Sequence, residues 1–383
     1  MKIKWNPWLL ILGFMSLRVR SLAFAGAVLT GFGLGWQLHA ISIHRKASII
    51  VTEEETPNRH KEILKYGTPQ SSSLRLKHNY VAATNFKHRV PIWVAEHLTA
   101  ANLENNVDRD GVSFATDYDI PAFFRAYNDD YLRSGYSRGH MTPAGNNKHS
   151  AVAMQESFLL SSNIVPQELD NNCYYWNRIE KWARSLTDRF AHVRIISGPL
   201  WLPEPVEDKQ QQQQEADNGS LSNVPVASEI RYKVIGKTEV AVPTHLYKVV
   251  LAESLDNEKY VACAVVPNHH IPDNVPLSAF LVPYPLLCHW AGIDFFPDLD
   301  MSSLKDLCFR MTDACQLMDA RQHRIMQLKR SLKSSKRIYY LNKAYADLKK
   351  VYGDQPVPED VTQLYKDRLQ HLQTATMEEQ EKS

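Results

Sequence analysis

The chain has 383 residues, with 44 Lys and Arg against 42 Asp and Glu and a formal net charge of +2. That balance excludes a protein that meets an anionic partner through its global field, so any such partner must be met by a local patch. Five scattered cysteines (Cys173, Cys263, Cys288, Cys308, Cys315) without a C-x-x-C pair exclude a zinc framework and a secreted disulfide scaffold, and read as reduced thiols, mostly in the core.

Taken in order, residues 1–50 hold Lys2, Lys4, Arg18, Arg20, Arg45 and Lys46, with no acid before Glu53. A basic, acid-free start is the composition of a mitochondrial transit region. Ser21 to Ile43 is also mostly apolar and long enough, against the roughly 20 residues a bilayer needs, to span one. We expect a mitochondrial membrane anchor over 1–50; a secretory leader over Trp5–Met15 is the rival reading. Residues 51–75 are polar and predict a linker. From residue 76 short strand-like runs alternate with turns, as in "YVAATNF", "VPIWVAEHL", "VRIISGPLWL", "YKVVLAE" and "YVACAVVP". Helical patterns interrupt them near 151–160 and 172–190, so residues 76–300 predict an α+β domain with a largely antiparallel sheet. Residues 204–227, centred on Gln210–Gln214, are too polar to pack and predict a disordered insertion. After Pro297 the period turns helical, with Leu304, Leu307, Cys308 and Met311 on one stripe, and 301–383 predict a helical C-terminal wing. Between Arg321 and Lys350 ten Lys or Arg stand against one Asp, which is either a solvated face or a surface that contacts phosphates.

Two stretches carry chemistry. In an extended Ser137-Arg138-Gly139-His140 segment, residues two apart point the same way, so Arg138 and His140 face one site and Gly139 leaves room between them for a substrate backbone. A guanidinium grips phosphate with a planar donor fork. A neutral imidazole takes a proton from water near pH 7, an effect worth roughly 10²–10⁴-fold. A surface strand with two polar residues fits the same letters. Some thirty residues later Asn172, Trp176 and Glu180 stand at i, i+4 and i+8, one line on a helix. One neutral oxygen ligand beside a carboxylate suits Mg²⁺; a solvent-facing helix edge capped by Asn172 fits the spacing equally. Asn146 and Asn147 either orient the site or hold a turn. Arg109 reads as an exposed, salt-bridged arginine, His269–His270 as a turn, and Trp176 and Trp182 as core.

The two stretches together resemble the signature of the DNA/RNA non-specific nucleases of the ββα-metal type: an R-G-H strand, then N-x-x-P-Q-x-x-x-x-N-x-x-x-W-x-x-x-E, here Asn163, Pro166, Gln167, Asn172, Trp176 and Glu180. The likeness continues through Val193–Pro203, Val242–Val250, Val265–Asn268 and Gly292–Leu299. Ser137 stands where the family usually carries Asp, a variant that resembles the mitochondrial exonuclease-G-like branch more than endonuclease G. Cys288 stands where a family acid is expected. The resemblance implies a ββα-metal core, His140 as general base, Asn172 as the ligand of Mg²⁺ (Mn²⁺ as a substitute), Glu180 orienting a water of the ion, and Arg138 on the phosphate. Asn146 would contact substrate. It also implies a homodimer and a DNA-engaging wing.

The leading expectation is a Mg²⁺-dependent nuclease at the mitochondrial inner membrane, degrading DNA from 5′ ends. The alternatives are an endonuclease acting on DNA and RNA alike, and a catalytically silent, membrane-tethered nucleic-acid-binding protein.

Overall fold

The computed structural model describes residues 56–71, 73–206 and 228–381. The anchor expected over 1–50 and most of the insertion expected over 204–227 lie outside the described residues. Among those described, no helix is long and apolar enough to cross a membrane.

Strands follow in the order β1 (Leu74–Leu76), β2 (Val81–Asn85), β3 (Val90–Leu98), β4 (Ala115–Thr116), β5 (Ser137–His140), β6 (Leu159–Leu160), β7 (Ile164–Gln167) and β8 (His192–Leu200), then β9 (Glu204–Pro205), β10 (Ser228–Glu229), β11 (Val234–Ile235), β12 (Val240–Ala241), β13 (His245–Glu253), β14 (Lys259–Pro267) and β15 (Lys305–Asp306). Seven of them form the main sheet in the order β1-β2-β3-β8-β13-β14-β15, antiparallel except for the short β14–β15 pair. The expected α+β class with a largely antiparallel sheet is what the chain adopts.

The long central strands read as apolar runs because both sheet faces are covered. Alternation along β13 sends Leu246, Val250 and Ala252 into one core and Tyr247, Val249 and Leu251 into the other. The first core also holds Trp176, Ile179, Trp182 and Ala183 of the helix Trp176–Ser185; the second holds Tyr284, Leu287, Phe295 and Phe296. Two positions on the first face break the apolar rule: Glu96, between Val94 and Leu98, and Lys248, between Leu246 and Val250, are both buried. A second, four-stranded sheet, β4-β6-β7-β5, carries Arg138 and His140, with Arg138 opposite Pro166 and His140 opposite Ile164.

Three expectations need correction. The stretch 51–75 is not a plain linker: it contains a helix (Thr56–Ile63) and β1, which pairs with β2. Its polarity hid this, because the docking is largely polar. Lys65 donates to Glu253 at 2.9 Å, Tyr66 bonds to the same carboxylate, and Ile63 enters the core with Leu64 and Tyr66 packed against it. The cysteines are not all reduced: Cys308 and Cys315 form a disulfide, brought to a Cα separation of 5.3 Å by a short helix (Leu307–Arg310) followed by a tight turn. Cys263 is the buried thiol; Cys173 is exposed and Cys288 half-buried. The stripe from Leu304 to Met311 is not one helix either, since β15 interrupts it and only Leu307–Arg310 is helical.

The wing itself is three helices, Ala320–Ser334, Ile338–Tyr352 and Glu359–Glu381, around their own core of Leu332, Leu341, Leu348, Val361 and Leu372.

Candidate active site

Arg138 and His140 line one cavity of about 350 Å³ with Asn172 and Glu180, so the strand and the helix do converge. Alternation explains the first pair. The residue between them points the other way, where a Cβ on Gly139 would stand 2.8 Å from Gln167 Cβ. Gly139 therefore makes room for the buried Gln167 side chain and not for a substrate backbone. Gln167 Nε2 donates to Asn171 Oδ1 at 2.7 Å, which ties β7 to the turn carrying Asn172.

That turn, Asn171–Tyr175, is π-helical and runs directly into Trp176–Ser185. Asn172 lies inside it and is not a helix cap. Wide turns of this kind are frequent at functional sites because they redirect a side chain without ending the helix. Asn172 Nδ2 donates to Ser137 Oγ at 3.0 Å, leaving the amide oxygen as the atom for a cation. Two turns on, Glu180 takes 2.8 Å from Asn177 Nδ2, while Trp176 is fully buried between them and donates Nε1 to the His140 carbonyl at 3.3 Å.

His140 packs between Phe114 and Phe158, at ring-centroid distances of 5.3 and 4.8 Å. Burial, with the Arg109 charge second, pushes its imidazole down to about 3, so the ring is neutral at physiological pH. Its Nε2 has no hydrogen-bond partner among the described residues. Arg138 lies over Phe114 at 4.6 Å and donates to Asn128 Oδ1 at 2.7 Å, so one aromatic ring supports both groups. Burial pushes the Glu180 carboxyl up, opposed by Lys248, Arg184 and the Asn177 bond.

Asn146 is placed differently from expectation. It is buried outside the cavity, its Nδ2 donating to Glu96 Oε2 at 2.9 Å and its Oδ1 accepting from Arg184 Nε at 2.5 Å. Its amide is committed to protein, so it supports Arg184 and does not face substrate. Arg109 also departs from expectation: it is half-buried over Phe158 at 5.1 Å and lines the cavity. The turn at His269–His270 is as expected, with His269 Nδ1 2.7 Å from the His270 carbonyl.

Sequence reasoning missed Arg184, Lys181 and the wing's share of the lining, Gln327, Leu328, Arg330 and Ser331. Arg184 falls four residues after Glu180, on the same helix line, and that spacing was the available signal. The wing helix Ala320–Ser334 is locked on by Asn177 Oδ1, which meets His323 Nε2 at 2.9 Å and Gln327 Nε2 at 2.7 Å, and by Arg324 over Tyr174 at 4.3 Å. Five cations (Arg109, Arg138, Lys181, Arg184, Arg330) thus surround one carboxylate, Glu180. Burial first, then Arg184 and Arg330, lowers the Lys181 ammonium to about 8, a measure of how crowded the positive charge is.

The donor set fits a hard cation that keeps most of its own waters: one amide oxygen with a carboxylate in the same cavity. No group of three His, Cys, Asp or Glu side chains that would cage a softer metal occurs among the described residues.

A five-cation cavity with a neutral imidazole, on a strand facing a helix, has the groups that cleavage of a phosphodiester calls for. The family model for DNA/RNA non-specific endonucleases matches residues 59–302, and the chain belongs to that metal-dependent nuclease family. It is 40% identical to the mitochondrial nuclease EXOG of Danio rerio over 317 residues, covering 82% of this chain and 86% of that protein. With mitochondrial nuclease EXOG of Homo sapiens the identity is 37% over 334 residues, 85% of each chain, an overlap longer than residues 1–302 and so reaching into the wing. Mitochondrial endonuclease G of Homo sapiens is 36% identical over 238 residues, 62% of this chain and 74% of that one. Among solved structures, endonuclease G in complex with its inhibitor EndoGI aligns with a TM-score of 0.59 and 38% identity, over 65% of this chain and 96% of that one.

Proposed function

We propose that this nuclease is a Mg²⁺-dependent phosphodiesterase that degrades DNA from 5′ ends, at the mitochondrial inner membrane, as a homodimer held there by residues 1–50. The carrying observation is the wing: Gln327, Leu328, Arg330 and Ser331 wall one side of the catalytic cavity. A wall beside the scissile position favours a strand that ends there over one that runs through. The likeness to EXOG proteins extending past residue 302 supports the same reading, and their printed names support the mitochondrion.

Within the cavity, the imidazole of His140, which lines it and is neutral, accepts the proton of the attacking water. Arg138, Arg109 and Arg184 bind and neutralise the phosphate, addressing no base, so sequence preference is weak. Asn172 through its amide oxygen would hold Mg²⁺, or Mn²⁺ in its place, with Glu180 orienting its waters; the ion when bound supplies charge neutralisation on the phosphate and the leaving 3′ oxygen.

The test uses the full chain with 5′-labelled linear duplex and closed circular DNA, each with Mg²⁺ and with chelator. Short 5′ products from the linear DNA alone, lost with chelator and reduced about 10²–10⁴-fold by His140→Ala, are expected. Equal cutting of closed circles would replace the exonuclease by an endonuclease of the endonuclease-G type; RNA in parallel reads sugar preference.

A further inference from the structure

The helix Thr56–Ile63 carries a guanidinium that spends itself on neutral acceptors. Arg59 donates from Nε and Nη2 to Asn79 Oδ1 at 3.1 and 2.7 Å, from Nη2 also to the His97 carbonyl at 2.5 Å, and from Nη1 to His97 Nδ1 at 3.2 Å. No carboxylate lies within ion-pair distance of it among the described residues, although burial works against its charge. Guanidinium has no acceptor, so His97 Nδ1 must accept and its proton sits on Nε2, which donates to His192 Nδ1 at 3.0 Å.

The fork also decides how Asn79 stands. With Oδ1 held by Arg59, Asn79 Nδ2 is turned to the Asn146 carbonyl at 3.1 Å and to Asn147 Oδ1 at 2.9 Å. Asn146 then accepts from Arg184 Nε at 2.5 Å and donates to Glu96, the neighbour of His97 on β3. The guanidinium therefore fixes one support of the 144–147 loop, Asn79, and Asn146 of that loop holds Arg184 at the cavity wall. The fit is tight: a Cβ on Gly145 would stand 2.5 Å from Arg184 Nη2.

We propose that Arg59 is a positioning residue for phosphodiester cleavage, acting through Asn79 and Asn146 on the guanidinium of Arg184. This rests on the cavity being the hydrolytic site. A consequence is that the helix Thr56–Ile63 supports the cavity through Arg59.

The test is steady-state cleavage of linear duplex by the full-length Arg59→Ala, Arg184→Ala and double variants, with melting temperatures. Metal-dependent cleavage by the parent protein is the control; its absence refutes the site reading and not the relay. Arg59→Ala is expected to lower kcat about tenfold with KM changed less than about twofold. Arg59→Lys should fail to restore it, because an ammonium lacks the planar fork. In the Arg184→Ala background the Arg59 effect should shrink to less than about twofold. Equal loss in both backgrounds, or a lower melting temperature with unchanged kcat, overturns the proposal. Should Arg59→Ala not fold, Asn79→Asp decides: it keeps the acceptor for Arg59 and removes the donor to Asn146, so an unchanged kcat overturns the relay and a reduced one at constant KM supports it.

Discussion

Gly139→Ala separates two roles for the glycine between Arg138 and His140. A room-for-substrate role would leave stability alone and weaken binding. The packing role places the new methyl 2.8 Å from Gln167 Cβ and 3.0 Å from its Cδ, closer than carbon atoms tolerate. Because Gln167 Cβ is fixed by β7, the side chain cannot simply swing away. The overpacking costs about 1–3 kcal/mol. Displacing Gln167 also strands the buried Asn171 Oδ1, for about 1–3 kcal/mol more. Together these correspond to a melting temperature lower by roughly 5–20 °C, read by scanning calorimetry. Made in a Gln167→Gly background, the same substitution should cost less by about 0.5–3 kcal/mol, since both Cβ and Cδ are then gone. A shift under about 2 °C, or an equal loss in both backgrounds, would refute the argument.

Asn172→Ala should raise the Mg²⁺ concentration needed for half-maximal rate by at least about tenfold in a titration of activity, and an unchanged titration would remove Asn172 from the ligand set. Burial, then Lys181 and Arg178, hold the His323 imidazole down to about 4, whereas an unfolded histidine titrates near 6.5. Between those values the unfolded chain binds a proton that the folded chain refuses, so this contribution to stability is present above pH 6.5 and lost as pH falls toward 4, by about 1.4 kcal/mol per unit. Urea midpoints of the parent protein and His323→Gln should therefore diverge in the variant's favour from pH 6.5 to 4; parallel curves would contradict the assignment.

Much of the site was legible because it is local. Period-two alternation alone puts Arg138 and His140 on one side of β5, and helical spacing brings Glu180 near Asn172, although a π-helical turn aims Asn172. The order of these motifs was enough to imply the family. What those patterns cannot carry is occupancy of the opposite side. Whether Gly139 opens space for a substrate or for Gln167 depends on the register of β5 against β7. Whether Asn146 faces substrate or protein depends on Glu96, fifty residues earlier. The polar stretch from 51 to 75 read as a linker because much of its docking comes through hydrogen bonds to distant strands, as with Arg59 and Lys65, which polarity along the sequence does not register.

Residue type and short-range period alone were enough for the largely antiparallel sheet, the helical tail and the candidate site side chains. Only the tertiary structure decided which charges surround that chemistry. Glu96 and Lys248 come onto the same covered face because β3 and β13 both pair with β8, and the Lys248 ammonium lies 4.8 Å from the Trp176 indole. Arg330 reaches the cavity because the wing docks on Asn177. Strand register and helix docking are selected by the burial of whole faces, and a sum over many residues leaves no mark at any single one.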